Sequence, residues 1–222
     1  AKVLVDKMLA GQTVALITDA GTPGISDPGE ELVKMAYEAG IEVTSLPGAC
    51  ACVTALTLSG LSTRRFVFEA FLPPDKKEHK LALERLKNET RTMIVYEAPH
   101  HLLKTLRELL ETLGNRRLTL CRELTKKHET AWQTTIEDAI TRYEQEDPKG
   151  ECVLVIEGRS QKEIEDEAKA AFEEISIEEH MKRYEDQGIA RKEAMKLVAK
   201  DRGVTKRDIY QYLLGKESYN DF

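Results

Sequence analysis

The 222 residues carry a net charge of −6, with 41% hydrophobic and 32% charged side chains, the balance of a soluble globular protein long enough to bury a core. No apolar run approaches the ~20 residues of a membrane helix, and the four cysteines, Cys50, Cys52, Cys121 and Cys152, indicate no disulfide framework. The chain opens at Ala1 without Met or a signal-peptide pattern, so a cytoplasmic protein is expected, as a fragment or a processed chain.

In chain order, Lys2–Ala10 reads as a helix closed by Gly11. Val14–Ile17 is a short apolar run of the kind buried on both faces of a parallel sheet. It breaks at Asp19 into a loop holding Gly21, Pro23, Gly24, Pro28 and Gly29. Asp27 is expected to cap the next helix, with Pro28 at its first position. A strand, a glycine-rich loop and a helix start put backbone N–H groups at the sheet edge where α/β folds bind ligands. The spacing fits neither G-x-G-x-x-G nor a Walker A loop, so both a ligand loop and a plain tight turn stay open. Ile41–Leu46 is a second expected strand, stopped by Pro47-Gly48 and followed by a small-residue helix to Gly60. Two such units predict neighbouring parallel strands whose following loops share one sheet edge.

A second α/β block follows. Phe66–Phe71, Thr92–Tyr96, Arg117–Arg122 and Cys152–Ile156 read as strands, and Glu123–Glu129 as a polar loop. Helices are expected over about 75–88, His100–Leu113 and Thr135–Gln145. From Ser160 onward no strands are predicted. Residues 163–186 are strongly acidic and read as a hinge. Residues 188–216 are basic through Arg191, Lys192, Lys196, Lys200, Arg202, Lys206, Arg207 and Lys216. Helix stops are expected at Gly188, Gly203 and Gly215, with Ala199, Val204, Ile209 and Tyr212 as core positions. That pattern suits a helix-turn-helix or any compact helical hairpin. The division expected is 1–62, 63–160 and 161–222.

Several stretches occur together in one order: VALITDAGTPGISDPG (14–29), LPGACACVTALTLSGL (46–61), FVFEAFLP (66–73), YEAPHHL (96–102), RELTK (122–126) and GECVLVIEG (150–158). In combination they resemble the tetrapyrrole-methylase superfamily and, within it, the bacterial ribosomal RNA small subunit methyltransferase I family, whose C-terminal extension the tail is similar to. The resemblance implies a two-lobed α/β fold with a helical extension, S-adenosylmethionine as cofactor, and a homodimer. It implies methyl transfer to the ribose 2′-hydroxyl of a cytidine in 16S rRNA. The family begins with βα units ahead of the helix that opens this chain, so an incomplete N-terminal lobe is expected. The family's usual proline-serine after Pro47-Gly48 is Ala49-Cys50 here, and the arginine usual after Pro-His is His101.

Carried over by motif, cofactor contacts fall on Asp19, Ala20, Gly21, Gly24 and Ile25, on Cys50 and Ala51, on Tyr96 and Glu97, and on Leu124. Candidates for a general base are Glu97, Glu123 and Lys126, with His100 and His128 nearby; no metal site is expected. Each has a plainer reading: Asp19 as a turn residue, Glu123 and Lys126 as a local ion pair, His128 as an exposed loop side chain. The pairs Arg64-Arg65, Lys76-Lys77, Arg116-Arg117 and Lys126-Lys127 are solvated charge or, together, a phosphate track. Two other readings stand beside the leading one: a tetrapyrrole or small-molecule methyltransferase, and an RNA-binding fragment without catalysis. The basic tail favours an RNA substrate over a small molecule.

Overall fold

The structure, a computed structural model, describes residues 1–217. Two compact units divide the chain, Ala1–Gly158 and a second beginning at Arg159. In the first, α1 (Lys2–Leu9), α2 (Glu30–Glu38) and α3 (Ala51–Ser59) precede a sheet of β1 (Phe66–Phe71), β2 (Thr92–Glu97), β3 (Arg117–Arg122), β4 (Thr130–Thr135) and β5 (Cys152–Ile156). α4 (Lys76–Lys87), α5 (Pro99–Leu113) and α6 (Ile136–Tyr143) complete it.

The strands lie in the order β1-β2-β5-β3-β4. β1 and β2 are parallel, but β5 runs against both its neighbours and β3–β4 is an antiparallel hairpin. The sheet is therefore mixed, not parallel as expected. β1, β2 and β3 share one direction, so their C-terminal ends meet the start of β5 on a single edge.

Strict alternation explains the core. Met93, Val95, Leu118, Leu120, Leu154 and Ile156 belong to one cluster with Leu102, Leu106 and Leu109 of α5. Ile94, Cys121, Val153 and Val155 face the other way and pack with Cys52, Ala55 and Leu56 of α3. Strands buried on both faces read as continuous apolar runs, which is why these were legible. β4 was not: TAWQTT is half exposed at the sheet edge, and its threonines and glutamine carry no apolar alternation. α3 is tied to the sheet by its C-terminal carbonyl, where Ser59 O accepts from Thr119 Oγ1 (3.1 Å) and Gln133 Nε2 (3.2 Å).

The two strands expected at Val14–Ile17 and Ile41–Leu46 are absent. Both runs are irregular, and Ile17 and Leu46 are each 83% exposed. A strand exists only through ladder partners, and among the described residues neither run has one. The start of α2 also differs. Its N-cap is Gly29, not Asp27, and Pro28 lies outside the helix. Gly29 has φ +158°, and a Cβ there would lie 2.8 Å from Leu16 Cδ2 and 3.3 Å from Gly24 Cα. Only glycine lets these backbones approach so closely.

Before β2, a single carboxylate organises the chain. Glu89 accepts from the Arg91 backbone N–H (2.7 Å), Nε (2.9 Å) and a terminal guanidinium nitrogen (2.7 Å). Those hydrogen bonds hold its pKa down at about 2. A depressed carboxylate contributes stability above its unfolded value near 4.5 and loses it as pH falls towards 2. Glu89→Gln is expected to cost about 1 kcal/mol at pH 7 for this part-exposed fork. The gap to the native chain should narrow between pH 5 and pH 3 in urea titrations; a gap independent of pH would refute the account.

The second unit holds α7 (Gln161–Glu173), α8 (Ile177–Glu185), α9 (Arg191–Arg202) and α10 (Lys206–Glu217). The acidic stretch expected as a hinge is partly α7, opened by a capping box between Ser160 and Glu163. Met181, Ala194, Val198, Ala199 and Ile209 form a small core. Ala199 and Ile209 were expected there; Val204 (44%) and Tyr212 (39%) are exposed instead. α9 ends at Gly203 in a left-handed turn, as the spacing predicts. α10 instead runs through Gly215, because an interior glycine weakens a helix by only ~1 kcal/mol and does not by itself end it. The side chain of Lys216 lies outside the described residues.

Candidate functional site

Although their strands do not form, the two glycine-bearing loops meet. Thr22 Oγ1 donates to Ala49 O at 2.9 Å. A Cβ on Gly21 would lie 3.3 Å from Ala49 O, and one on Gly48 would lie 3.1 Å from Thr22 Oγ1. Thr18 Oγ1 donates to Gly21 O (2.9 Å) and closes the first loop on itself. Between these loops and the ends of β1, β2 and β3 lies a cleft of about 410 Å³.

Asp19, Ala20, Gly21, Ile25, Cys50, Ala51, Tyr96 and Leu124 line that cleft, as do Glu123 and Lys126. Two expected residues do not. Gly24 stands behind the loop with its backbone against Gly29. Glu97 turns away beneath α5: Oε1 accepts from the Ala98 N–H (2.8 Å) and Oε2 from the Thr105 hydroxyl (2.6 Å). It is 7% exposed and caps the helix rather than facing the cleft. His128 is exposed, and the rings of His100 and His101 lie 4.2 Å apart at a 48° tilt, outside the cleft lining.

Residues missed from the sequence include Thr22, Ser26, Thr54, Phe71, Arg122, Thr125 and Glu151. Backbone strain was the hidden signal. Among the described residues, the non-glycine positions with positive φ are Ser26, Ala70, Glu123 and Thr125. Three of them line the cleft and Ala70 precedes Phe71, which does. Such strain concentrates at functional sites, but it follows from tertiary contacts that no local pattern displays.

Glu123 pairs with Lys126 at 3.2 Å. Its side chain lies over Gly150, where a Cβ would fall 2.8 Å from the Glu123 carboxyl carbon. The Glu129 carboxylate accepts from the Thr125 N–H at 2.6 Å and fixes the turn after β3. Arg122 donates to Lys149 O (3.2 Å), linking that turn to the approach to β5. Burial pushes the Cys52 and Cys121 thiols up to about 11 and Cys152 to about 12, so all three stay protonated at neutral pH. Burial likewise raises the Tyr96 phenol, leaving an O–H at the cleft wall. Among the described residues, no group of three His, Cys, Asp or Glu is placed to hold a metal ion.

The paired bases resolve differently from one another. Arg116 is buried with Nε donating to Leu113 O (3.0 Å), and Arg117 forks onto Glu157 (2.5 and 2.9 Å). Lys126 is paired to Glu123, so these three bases are held by partners within the chain. In the tail, Arg202 donates to Ile175 O (2.7 Å), Ser176 O (3.0 Å) and His180 Nδ1 (3.3 Å), so it holds α8 in place.

Comparison with solved structures gives the fold a class. The methyltransferase CobJ superposes with a TM-score of 0.55 at 20% identity, covering 71% of this chain and 70% of that one. Uroporphyrin-III-C-methyltransferase from Thermus thermophilus superposes with a TM-score of 0.50 at 22% identity, covering 69% and 68%. Residues 1–140 match the family described as Tetrapyrrole (Corrin/Porphyrin) Methylases, so this is a tetrapyrrole-methylase fold. Among curated proteins, ribosomal RNA small subunit methyltransferase I of Halalkalibacterium halodurans is 47% identical over 209 residues, 94% of this chain and 72% of that protein. The Synechocystis protein of that name is 44% identical over 216 residues, 97% and 76%. The chain belongs to the ribosomal RNA small subunit methyltransferase I family. Among the described residues no helix is long and apolar enough to cross a membrane.

Proposed function

We propose that the chain transfers a methyl group from S-adenosylmethionine to the ribose 2′-hydroxyl of a cytidine in 16S rRNA. The observation that carries the reading is the meeting of the Asp19–Ser26 and Ala49–Ala51 segments over the ends of β1, β2 and β3 in one cleft. The donor set fits the cofactor: loop backbone groups and the Asp19 carboxylate suit hydroxyls and an amino-acid end, and Tyr96 and Ile25 supply apolar walls. When bound, the cofactor supplies an electrophilic methyl on a sulfonium.

The chain's own task is positioning and proton removal. A 2′-hydroxyl is a weak nucleophile and needs alignment with the methyl and an acceptor for its proton. Glu123, at the cleft and steadied by Lys126, is that acceptor in this reading. Glu97, with both oxygens committed beneath α5, is a positioning residue. The lobes 1–62 and 63–160 hold the cofactor, and the extension 161–222 contacts RNA through Lys200, Lys206 and Arg207. The protein works in the cytoplasm as a homodimer, for which exposed Ile17 and Leu46 supply apolar surface.

The test is direct. Asp19→Ala should weaken S-adenosylmethionine binding by ~1–3 kcal/mol in calorimetry, because a charged hydrogen-bond acceptor is lost. An unchanged dissociation constant in a folded variant would remove Asp19 from the site. Native protein that moves no methyl group from S-adenosylmethionine to small ribosomal subunits would overturn the reading itself.

A further inference from the structure

Resting on that reading, the geometry points to Phe71 as the platform on which the target nucleobase stacks, with the groove between α4 and α5 seating the adjoining single-stranded RNA.

Phe71 closes β1 and is 44% exposed. It is set there by a bulge: the β1–β2 register shifts between Phe68 and Ala70, and Ala70 adopts φ +54°. A bulge re-aims the side chains beyond it, and beside a functional cleft it is a built feature rather than a defect. The ring does not move freely. It makes a T-shaped pair with Tyr96 (5.7 Å between centroids, 72°), and Tyr96 makes another with Phe68 (5.0 Å, 71°). A T-shaped contact takes either the edge or one face of a ring, so Phe71 keeps a face that Tyr96 does not cover.

Its position is what makes the ring informative. Phe71 lines the proposed cofactor cleft and also a larger groove of about 870 Å³. It is the hinge post between the two. A base stacked on it places its own ribose next to the cleft, as transfer to a 2′-hydroxyl requires. The groove beyond carries Lys76 and Lys80 on α4 and Lys104 on α5. Of its four acids, Glu97 is doubly hydrogen-bonded and Glu108 holds His79 (3.0 Å) and Lys104 (3.5 Å), while Glu84 and Glu111 form no ion pair among the described residues. Lys76 and Lys80 form no ion pair among the described residues. A stacking ring followed by two unpaired ammonium groups matches a base and the phosphates next to it. A lone aromatic with flanking lysines is how proteins hold unpaired nucleotides.

The experiment uses the full chain with small ribosomal subunits and radiolabelled S-adenosylmethionine. Phe71→Leu keeps an apolar side chain against Tyr96 but removes the π-face; Phe71→Trp keeps the face. Loss of one stacked base weakens binding roughly tenfold to hundredfold. The Leu variant should therefore raise KM for subunits by about that factor, beyond any change in the dissociation constant of S-adenosylmethionine, and Trp should restore it. Lys76→Gln with Lys80→Gln should lower the log–log salt slope of subunit binding by roughly 1.4, about 0.7 per lost phosphate contact on a single strand. Active native protein with an unaltered KM in the Leu variant would overturn this inference and leave the proposed function standing. An unaltered salt slope in the lysine variant would equally exclude RNA from the groove. Native protein inactive on subunits would remove both readings together.

Discussion

Replacing Glu97 with alanine is expected to destabilise the first unit by roughly 3–5 kcal/mol, because two hydrogen bonds to a buried carboxylate are worth ~1.5–3 kcal/mol each. Its oxygens hold the Ala98 N–H at the start of α5 and the Thr105 hydroxyl about two turns further on. Thr105 is 3% exposed, so its hydroxyl loses its buried acceptor once the carboxylate is gone. α5 has no side-chain cap of its own at Ala98, and the carboxylate of the preceding residue takes that role. Glu97→Gln keeps the shape and one acceptor oxygen, and should cost about half as much. Thermal melts and urea titrations of both variants measure this, with each kcal/mol shifting Tm by roughly 2–4 °C in a unit of this size. The same pair separates structure from chemistry. A Gln variant that melts like the native protein yet transfers no methyl would show that Glu97 acts on the substrate instead.

Gly158→Ala should be comparably harmful, at about 3 kcal/mol or more. A Cβ there would fall inside the van der Waals radii of Thr90 C and O and Arg91 O. These are backbone atoms, and their position is set by the Glu89–Arg91 fork and by the entry to β2. A flexible side chain could swing aside; a backbone so held cannot, and overpacking of this kind costs ~1–3 kcal/mol and occasionally more. Guanidinium titrations would read the loss as a lower midpoint. A midpoint equal to that of the native chain would mean that the 90–91 segment yields, and that the close approach is not a constraint.

Much of this architecture was legible in the residues alone. β2 and β5 are near-continuous apolar runs because central strands face the core on both sides, β3 is an apolar stretch interrupted by Thr119, and the edge strand β1 shows itself by its phenylalanines. Several helices announce themselves through side-chain caps at Asp75, Thr135 and Ser176. The loops that meet at the cleft were visible as glycine and proline clusters, since close backbone approach admits little else. Tertiary structure decided the remainder. Only ladder pairing inserts β5 between β2 and β3, and only its absence leaves Val14–Ile17 and Ile41–Leu46 irregular. Motif matching places Glu97 at the cofactor and the clustering of bases in the tail places Arg202 among the RNA contacts, yet the folded chain commits the first to α5 and the second to α8. The reason is physical. Apolar periodicity and caps act over one turn or one strand, whereas a polar side chain's role depends on which partners the fold brings within 3 Å.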